Sequence, residues 1–340
     1  MTDEAGAALG LVARRARERG QADAVRIARV LGDIDVGEAA AGLFRASRLT
    51  INFHPDRRAP GGTVVEGLLR SGRYRSQFST GISNGSRSAI IGGARSSFEQ
   101  AMFADVYDAT PERRPVYGTL DLLNDTLGGS PGFGSCHLVL HPAVMERCTF
   151  TVGDSYMSPT DAGTVSAPTA ILAGLAEQAA ADDLLGRRLG VDALRSLIGG
   201  APRRSTTDRR LERYVEAQIH GGIDLRTDVV GVVADPAFRN REPGRHLQQL
   251  ARLVGVDLDW HGGNMLAAAD FPSDFRRPDL PAMASEIARA DGMVDAAVIG
   301  DRSRTIDPGP PTVDGDQSDH PLQWVKHLWQ ALVVFGSDAV

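Results

Sequence analysis

The stretch Tyr214-Val215-Glu216-Ala217-Gln218-Ile219-His220-Gly221 decides the fold class of this chain. Apolar residues alternate in it with polar ones, and a period of two is typical of a β-strand. The alternation puts Glu216, Gln218 and His220 on one face, while the apolar residues between them face a core. Three polar side chains in a row are costly to bury unless they are used. We therefore predict that this strand carries functional groups, although a solvent-facing edge strand would show the same pattern.

Other short strand patterns, separated by Gly, Pro or Asn, lie on both sides of a helical segment at 168–199. They are Leu49–His54, Val116–Leu122, Ser135–Leu140, Cys148–Val152 and Asp228–Ala234. Grouped strands that enclose helices indicate an α+β domain with a mixed or antiparallel sheet, and argue against a doubly wound one. We predict a helical N-terminal module at 1–48, a catalytic core at 49–240 and a helical extension packed on that core at 241–340.

The first candidate ligand-binding cluster is Phe53-His54-Pro55-Asp56-Arg57. A strand ends there, because Pro55 prevents its continuation. Arg57 could hold a phosphate through two hydrogen bonds, and His54 could bond a ribose or a carboxamide. An ordinary turn with a local Asp–Arg pair is the alternative.

The second candidate cluster is the polar run at 73–85, RYRSQFSTGISNG. Before it, Thr63–Ser71 is predicted to be a short helix with a capping box and with Gly72 as its stop. We expect a strand at Tyr74–Thr80 and then a tight turn at Gly81–Gly85. Hydroxyls, amides and glycines suit a nucleotide or a nicotinamide amide, although a polar turn would also contain them. The candidate binding residues are Arg75, Gln77, Ser79, Thr80, Gly81, Ser83 and Asn84.

Composition excludes several classes of function. The net charge is −6, so bulk charge does not favour nucleic acid. Lys326 is the only lysine, and no G-x-x-x-x-G-K-[ST] occurs, so a Walker-type nucleotide site is excluded. Cys136 and Cys148 are expected to be core thiols. With no long apolar run and no secretory signal, we expect a soluble cytoplasmic protein, or an effector exported without a classical signal.

The phrases NFHPDR, RYRSQFSTGISNG, PVYGTLDLL, FGSCHLVLHP and YVEAQIHGGIDL resemble the DUF3626 family of bacteria and fungi, over roughly residues 45–240. More distantly, the order of strand with His, helix ending in Gly, strand with S-T-G and late strand with Glu resembles the ADP-ribosyltransferases. That resemblance implies an ADP-ribosyltransferase-like core that consumes NAD.

Carried onto this sequence, the resemblance implies that His54 or Arg57 holds NAD and that Ser79-Thr80-Gly81 lines the nicotinamide pocket. Glu216 would be the catalytic carboxylate that stabilises an oxocarbenium-like state. Gln218 would orient a nucleophile and His220 would accept a proton. The product would be an ADP-ribosylated protein or small molecule, or free ADP-ribose. The late motif is Glu-x-Gln where the superfamily often has Glu-x-Glu.

Two alternatives remain open. One is a metal-dependent hydrolase that uses His54, Asp56 and His220, and a zinc site from His54, His137, His141 and His220 is conceivable although no familiar ligand spacing occurs. The other is a non-catalytic nucleotide- or protein-binding module. Further weak site candidates are Glu99, His137, Asp154 and Ser155; His137 is expected to be a core histidine and 153–155 a turn.

Overall fold

The polar strand at 215–219 lies inside a large sheet, with a strand on each side. The computed structural model describes residues 2–81, 90–201, 210–306 and 320–339. In these ranges the sheet has eight strands. They are β1 (Arg48–Phe53), β5 (Val116–Asp121), β6 (Cys136–Leu140), β7 (Cys148–Val152), β8 (Ala162–Thr164), β9 (Val215–Ile219), β11 (Val229–Ala234) and β12 (Leu258–Trp260).

Their order across the sheet is β12-β11-β6-β1-β5-β9-β7-β8. Neighbouring strands run antiparallel except β11 and β12, which run parallel. The remaining strands form two-stranded pairs: β2 (Arg58–Ala59) with β3 (Gly62–Thr63), β4 (Arg73–Tyr74) with β10 (Ile223–Asp224), and β13 (Met265–Ala267) with β14 (Met293–Asp295). The predicted α+β class with a mostly antiparallel sheet is confirmed.

The described α-helices surround this sheet. They are α1 (Asp3–Leu31), α2 (Val36–Ala46), α3 (Val64–Ser71), α4 (Gln77–Thr80), α5 (Ala94–Phe103), α6 (Thr169–Ala180), α7 (Val191–Ile198), α8 (Leu225–Asp228), α9 (Glu242–Val254), α10 (Leu280–Ile287), α11 (Ala296–Arg304) and α12 (Pro321–Phe335). None of the helices in the described ranges combines the length and the apolar character needed to cross a membrane.

One face of the sheet is apolar. Leu120 lies opposite Val215, and Phe150 lies opposite Ala217, so their side chains share this face. It packs against α2 and α6, and the Phe44 ring of α2 meets Phe150 with 5.2 Å between centroids. Burying these side chains is the main force that holds the helices to the sheet.

The other face of the sheet is polar at its centre. Thr119 lies opposite Glu216, Tyr117 opposite Gln218, and Thr149 opposite Gln218 on the far side. The strand β9 is therefore a central strand and not a solvent-facing edge strand. Because polar groups on a central strand lose their water, each must find a partner in the protein or line a cavity.

Helix α3 begins and ends as the sequence predicts. Thr63 accepts a hydrogen bond from the Glu66 N–H, and the Glu66 carboxylate accepts one from the Thr63 N–H. Gly72 ends the helix with φ of 64°, in the left-handed region that glycine adopts without strain.

Replacing Thr63 with Ala is expected to lower the free energy of unfolding by about 1 kcal/mol, because the cap of α3 loses its acceptor. Urea unfolding measures the loss, and Thr63→Ser, which keeps the hydroxyl, should stay close to the parent protein. Equal stability of the Ala and Ser variants would show that the capping box contributes nothing.

The strand predicted at Tyr74–Thr80 is wrong. Only Arg73–Tyr74 is extended, and Gln77–Thr80 forms one helical turn, α4. The Ser76 hydroxyl caps this turn by accepting from the Ser79 N–H, and Gly81 ends it with φ of 67°. Short-range hydrogen bonds of Ser side chains compete with strand formation, and here they decide the local structure.

The ends of the chain are closely tied to the sheet. Helix α1 runs along α6 and β8, so the predicted helical segment at 1–48 packs on the core. The segment after residue 240, which we expected to be helical, also contains β12, β13 and β14, and β12 extends the main sheet. It pairs with β11 and forms the edge strand at that end of the sheet.

Candidate functional site

A cavity of about 430 Å³ opens onto the polar face of the sheet. Asn52, Ser130 and Arg95 of α5 lie on its lining. Its further lining includes His54, Arg70, Arg73, Tyr74, Arg75, Gln77, Ser79, Thr80, Tyr117, Phe133, Tyr214 and Glu216. Segments that are distant in the sequence therefore meet at one place, as a ligand pocket requires.

Glu216 is the buried carboxylate of this cavity, at only 3% exposure. Its Oε1 accepts from Gln218 Nε2 at 3.0 Å, and its Oε2 accepts from Tyr214 Oη at 3.2 Å and from the Ser155 N–H at 3.4 Å. Burial raises the pKa of Glu216 to about 7, although the positive charge of Arg95 opposes this rise. The side chain is thus held in one orientation and changes its charge near neutral pH.

Arg95 is the positive group beside Glu216, and it is itself buried. Its guanidinium lies 4.1 Å from the centroid of the Tyr117 ring, and its Nη1 donates to Ser155 Oγ at 2.5 Å. Its Nε has no hydrogen-bond partner among the described residues. A buried donor next to a cavity is well placed to bond a ligand.

Glu99 and Arg114 lie behind Tyr117 and hold its hydroxyl in place. Tyr117 Oη donates to Glu99 Oε1 at 2.9 Å, and Arg114 Nη1 pairs with Glu99 Oε2 at 2.8 Å with both side chains buried. Sequence reasoning named Glu99 only as a weak candidate and missed Arg95 and Tyr117. The period of two in β5 places Tyr117 on the same polar face as Thr119, so the sequence could have indicated Tyr117 as a site residue. Nothing in the sequence distinguishes Arg95 from the other arginines.

Helix α4 forms part of the cavity wall. Ser79 Oγ donates to the Glu112 carbonyl at 3.1 Å, and Thr80 Oγ1 donates to the Ser76 carbonyl at 3.1 Å. Gln77 Oε1 is buried and has no partner among the described residues. The wall therefore offers an amide oxygen and hydroxyl lone pairs, which accept hydrogen bonds from an amide or a sugar.

Several residues of the polar run have other positions. Arg75 lies on the rim of the cavity, whereas Gly81 is not part of the lining and serves to end α4. The candidates Ser83 and Asn84 lie outside the described residues.

Of His54 and Arg57, the two residues that we expected to hold NAD, His54 lines the large cavity and Arg57 does not. His54 also lines a second cavity of about 30 Å³, and Arg57 lines that second cavity with Asp56, Lys326 and Trp329. Burial lowers the pKa of His54 to about 3, so its ring is neutral at physiological pH. The positive charge of Arg57 adds to this lowering of the His54 pKa, since the two side chains lie close together.

Gln218 and His220 share the face of Glu216 but do not line the cavity. Both are fully buried. The side-chain amide of Gln218 forms hydrogen bonds with Glu216, Thr149 and Thr151. His220 bonds Tyr107 and packs against Phe103 at 5.1 Å between ring centroids. We expected Gln218 to orient a nucleophile and His220 to accept a proton, and both roles require access to the large cavity, which neither side chain lines.

The residues of the two metal hypotheses are separated. Asp56 pairs with Arg304 at 3.5 Å, away from His220. His137 is buried in β6, and His141 caps the Ala143 N–H from an exposed turn. Within the described ranges, no group of three or more His, Cys, Asp or Glu side chains is arranged to hold a metal ion.

Comparison with known proteins identifies relatives in bacteriophages. The "Gene 2 protein" of Mycobacterium phage D29 is 30% identical over 178 residues, which is 50% of this chain and 60% of the relative. The "Gene 2 protein" of Mycobacterium phage L5 is 26% identical over 185 residues, 51% of this chain and 64% of the relative. The matched region thus spans less than two thirds of either relative.

A family model also matches the chain. Its description is "Protein of unknown function (DUF3626)", and it covers residues 48–335. The match confirms the resemblance that the sequence motifs indicate. It also extends beyond residue 240, to the end of α12.

Proposed function

The chain belongs to the DUF3626 family, and on that premise we propose that it is an NAD-dependent ADP-ribosyltransferase or NAD glycohydrolase, a glycosyltransferase with an unknown acceptor. Glu216 is its catalytic carboxylate. The proposed core is of the ADP-ribosyltransferase type, with His54 at the end of β1 and Glu216 on β9, separated by β5.

The observation that carries the proposal is that His54, Thr80 and Glu216 line one cavity. These residues are the ones through which the sequence resembles NAD-consuming enzymes. Had Glu216 faced the apolar side of the sheet, the resemblance would have had no chemical meaning.

The proposed reaction requires a carboxylate beside the bond that breaks, because positive charge develops on the ribose as it does so. Cleavage of the nicotinamide–ribose bond develops an oxocarbenium-like centre, which a buried carboxylate stabilises more strongly than water does. Glu216 meets this need because Gln218, Tyr214 and Ser155 already hold its oxygens. The nicotinamide ring fits beside Tyr117, and the Gln77 amide oxygen accepts from its carboxamide.

The diphosphate of NAD needs positive charge, and arginines at the rim supply it. Arg73 has only a long pair with Asp224 at 3.9 Å, and Arg75 is exposed with no ion pair in the described part of the chain. Arg70 donates to the carbonyls of Pro60 and Gly61. Arginine is well suited to phosphate oxygens because its planar group donates two hydrogen bonds at once.

Replacing Arg73 and Arg75 together with Gln is expected to raise the KM for NAD about tenfold and to leave kcat nearly unchanged. A contact between exposed charges is worth about 0.2–1 kcal/mol, so the loss of two gives about tenfold, and these contacts act equally on the ground state and the transition state. Steady-state kinetics measures the effect. Arg45→Gln, at an exposed position of α2, is the matched control, and a fall in kcat with KM unchanged would contradict the assignment to the diphosphate.

Direct assays decide the proposed function. The purified protein is incubated with NAD, and release of nicotinamide and free ADP-ribose is followed from pH 5 to pH 9. Free ADP-ribose in equal amount indicates hydrolysis, whereas nicotinamide without it indicates transfer to an acceptor or to the protein itself. Thermal stabilisation by NAD with no release at any pH would support a non-catalytic nucleotide-binding module, and the absence of both would overturn the proposal.

A further inference from the structure

A chain of four buried hydrogen bonds connects Tyr107 to the carboxylate of Glu216. Tyr107 Oη lies 2.6 Å from His220 Nδ1, and His220 Nε2 lies 3.2 Å from Thr149 Oγ1. Thr149 Oγ1 lies 2.9 Å from Gln218 Oε1, and Gln218 Nε2 lies 3.0 Å from Glu216 Oε1. The chain runs behind the cavity, and of its members only Glu216 lines it.

The positions of the protons along this chain follow from counting donors. An ionised Glu216 can only accept, so Gln218 must present its NH₂ group to it and its Oε1 to Thr149. Thr149 has one hydroxyl proton and gives it to Gln218, so it must accept from His220. Thr149 therefore requires a proton on Nε2 of His220.

The remaining nitrogen of His220 then has to accept. Burial, with a smaller contribution from the positive charge of Arg147, lowers the pKa of His220 to about 3, so the ring carries one proton and Nδ1 is bare. Tyr107 donates its hydroxyl proton to that nitrogen. All four bonds consequently point towards Glu216.

A separate contact agrees with this direction. Gln218 Nε2 also lies 3.2 Å from Thr151 Oγ1, and Thr151 itself donates to the Gly153 carbonyl at 3.4 Å. Thr151 is thus an acceptor towards Gln218, as the orientation of the amide demands.

We propose that Tyr107, His220, Thr149 and Gln218 are positioning residues, and that their aligned donors hold Glu216 Oε1 in place and favour its ionised form. Aligned hydrogen bonds polarise one another, and a low local dielectric strengthens each of them. The geometry assigns His220 to its Nε2–H tautomer. The proton arrangement concerns the protein alone, whereas its effect on catalysis rests on the proposed function.

Other groups also face Glu216, and they do not belong to this chain. Arg95 of α5 favours the ionised form, while Asp154, after β7, opposes it. Tyr214 and the Ser155 N–H donate to Oε2, and Tyr117 of β5 lies close enough for Glu216 to influence its pKa. A change at Thr149 leaves all of these contacts in place. A Thr149 variant therefore tests the hydrogen-bond chain alone.

The tautomer is measured first, in the absence of NAD. With ¹⁵N-labelled histidine, long-range ¹H–¹⁵N NMR spectra distinguish Nε2–H from Nδ1–H and from the doubly protonated ring. We expect Nε2–H for His220 at pH 8, with its resonance assigned by its loss in His220→Gln. A proton on Nδ1, or a charged ring at that pH, would overturn the proposal whether or not the protein cleaves NAD.

The effect on Glu216 is measured with Thr149→Val, which keeps the shape of the side chain and removes the hydroxyl. We expect the acid limb of the pH profile of nicotinamide release to move up by about half to one pH unit, since a shift of one unit equals about 1.4 kcal/mol. Thr149→Ser should restore the limb. Thr151→Val, at an equally buried position whose proton goes to Gly153, should leave it in place.

The outcomes of these experiments are separable. A shift in Thr149→Val alone supports the chain, whereas no shift, or equal shifts in Thr149→Val and Thr151→Val, overturns it. If the parent protein releases no nicotinamide, the proposed function fails, and the pKa of Glu216 is then obtained from the pH dependence of unfolding relative to Glu216→Gln. The same shift is expected in that measurement.

Discussion

Replacing Glu216 with Gln is expected to slow nicotinamide release by about 100-fold or more and at the same time to stabilise the protein above pH 7. The first effect follows because the amide cannot stabilise positive charge on the ribose, and a single electrostatic group in a buried site is worth roughly 100- to 1,000-fold in rate. Single-turnover assays with NAD measure it.

The second effect follows from the raised pKa of Glu216. The pKa is about 7 in the folded protein and 4.5 without perturbation. Since the folded state binds the proton more tightly, the stability from this group is full below pH 4.5 and is lost as the pH rises to 7. A difference of this size corresponds to about 3 kcal/mol. The stability of Glu216→Gln relative to the parent protein should therefore rise by most of that amount, about 2.5 kcal/mol, between pH 5 and pH 8.

Urea unfolding at the two pH values checks this, and Glu177→Gln is the matched control. Glu177 pairs with Arg26, and this pair lowers its pKa, so its contribution has the opposite sign. Glu177 stays largely ionised from pH 5 to pH 8, so the stability of Glu177→Gln relative to the parent protein should be nearly the same at both pH values, and activity should be unaffected. A Glu216→Gln variant that is as active as the parent protein would remove Glu216 from the catalytic role.

Replacing Glu99 with Gln is expected to lower the free energy of unfolding by about 3–5 kcal/mol, the usual result when a buried ion pair loses one partner. Arg114 and Glu99 are 3% and 0% exposed, and their charged atoms are 2.8 Å apart. The amide still accepts from Tyr117, so the loss reports the uncompensated charge of Arg114. Urea unfolding at pH 7 measures it.

Two further variants test the reason for this loss. Glu38→Gln breaks the exposed pair with Arg45, in which both side chains are more than half exposed, and should change stability by less than about 1 kcal/mol. The double change of Glu99 and Arg114 to Leu and Met removes both charges and should regain part of the loss. Equal losses in Glu99→Gln and Glu38→Gln would show that the pair is not desolvated.

Prediction from the sequence succeeded where local patterns control structure. The alternation of β9, the capping box of α3 and the strand at Cys148–Val152 are decided by neighbouring residues, and all three are observed. It failed at Gln77–Thr80, because serine hydroxyls compete for the same backbone groups as a strand does. It also missed Arg95, whose meaning depends on contacts with Tyr117 and Ser155, which are distant in the sequence.

The sequence by itself determined which side chains share a face. A period of two needs no tertiary information, so Glu216, Gln218 and His220 had to point the same way. Only the tertiary structure decided what each of them does, because side chains from segments distant in the sequence pack over that face. Glu216 is left at a cavity, while Gln218 and His220 are sealed behind it by Tyr107, Phe103 and the threonines of β7.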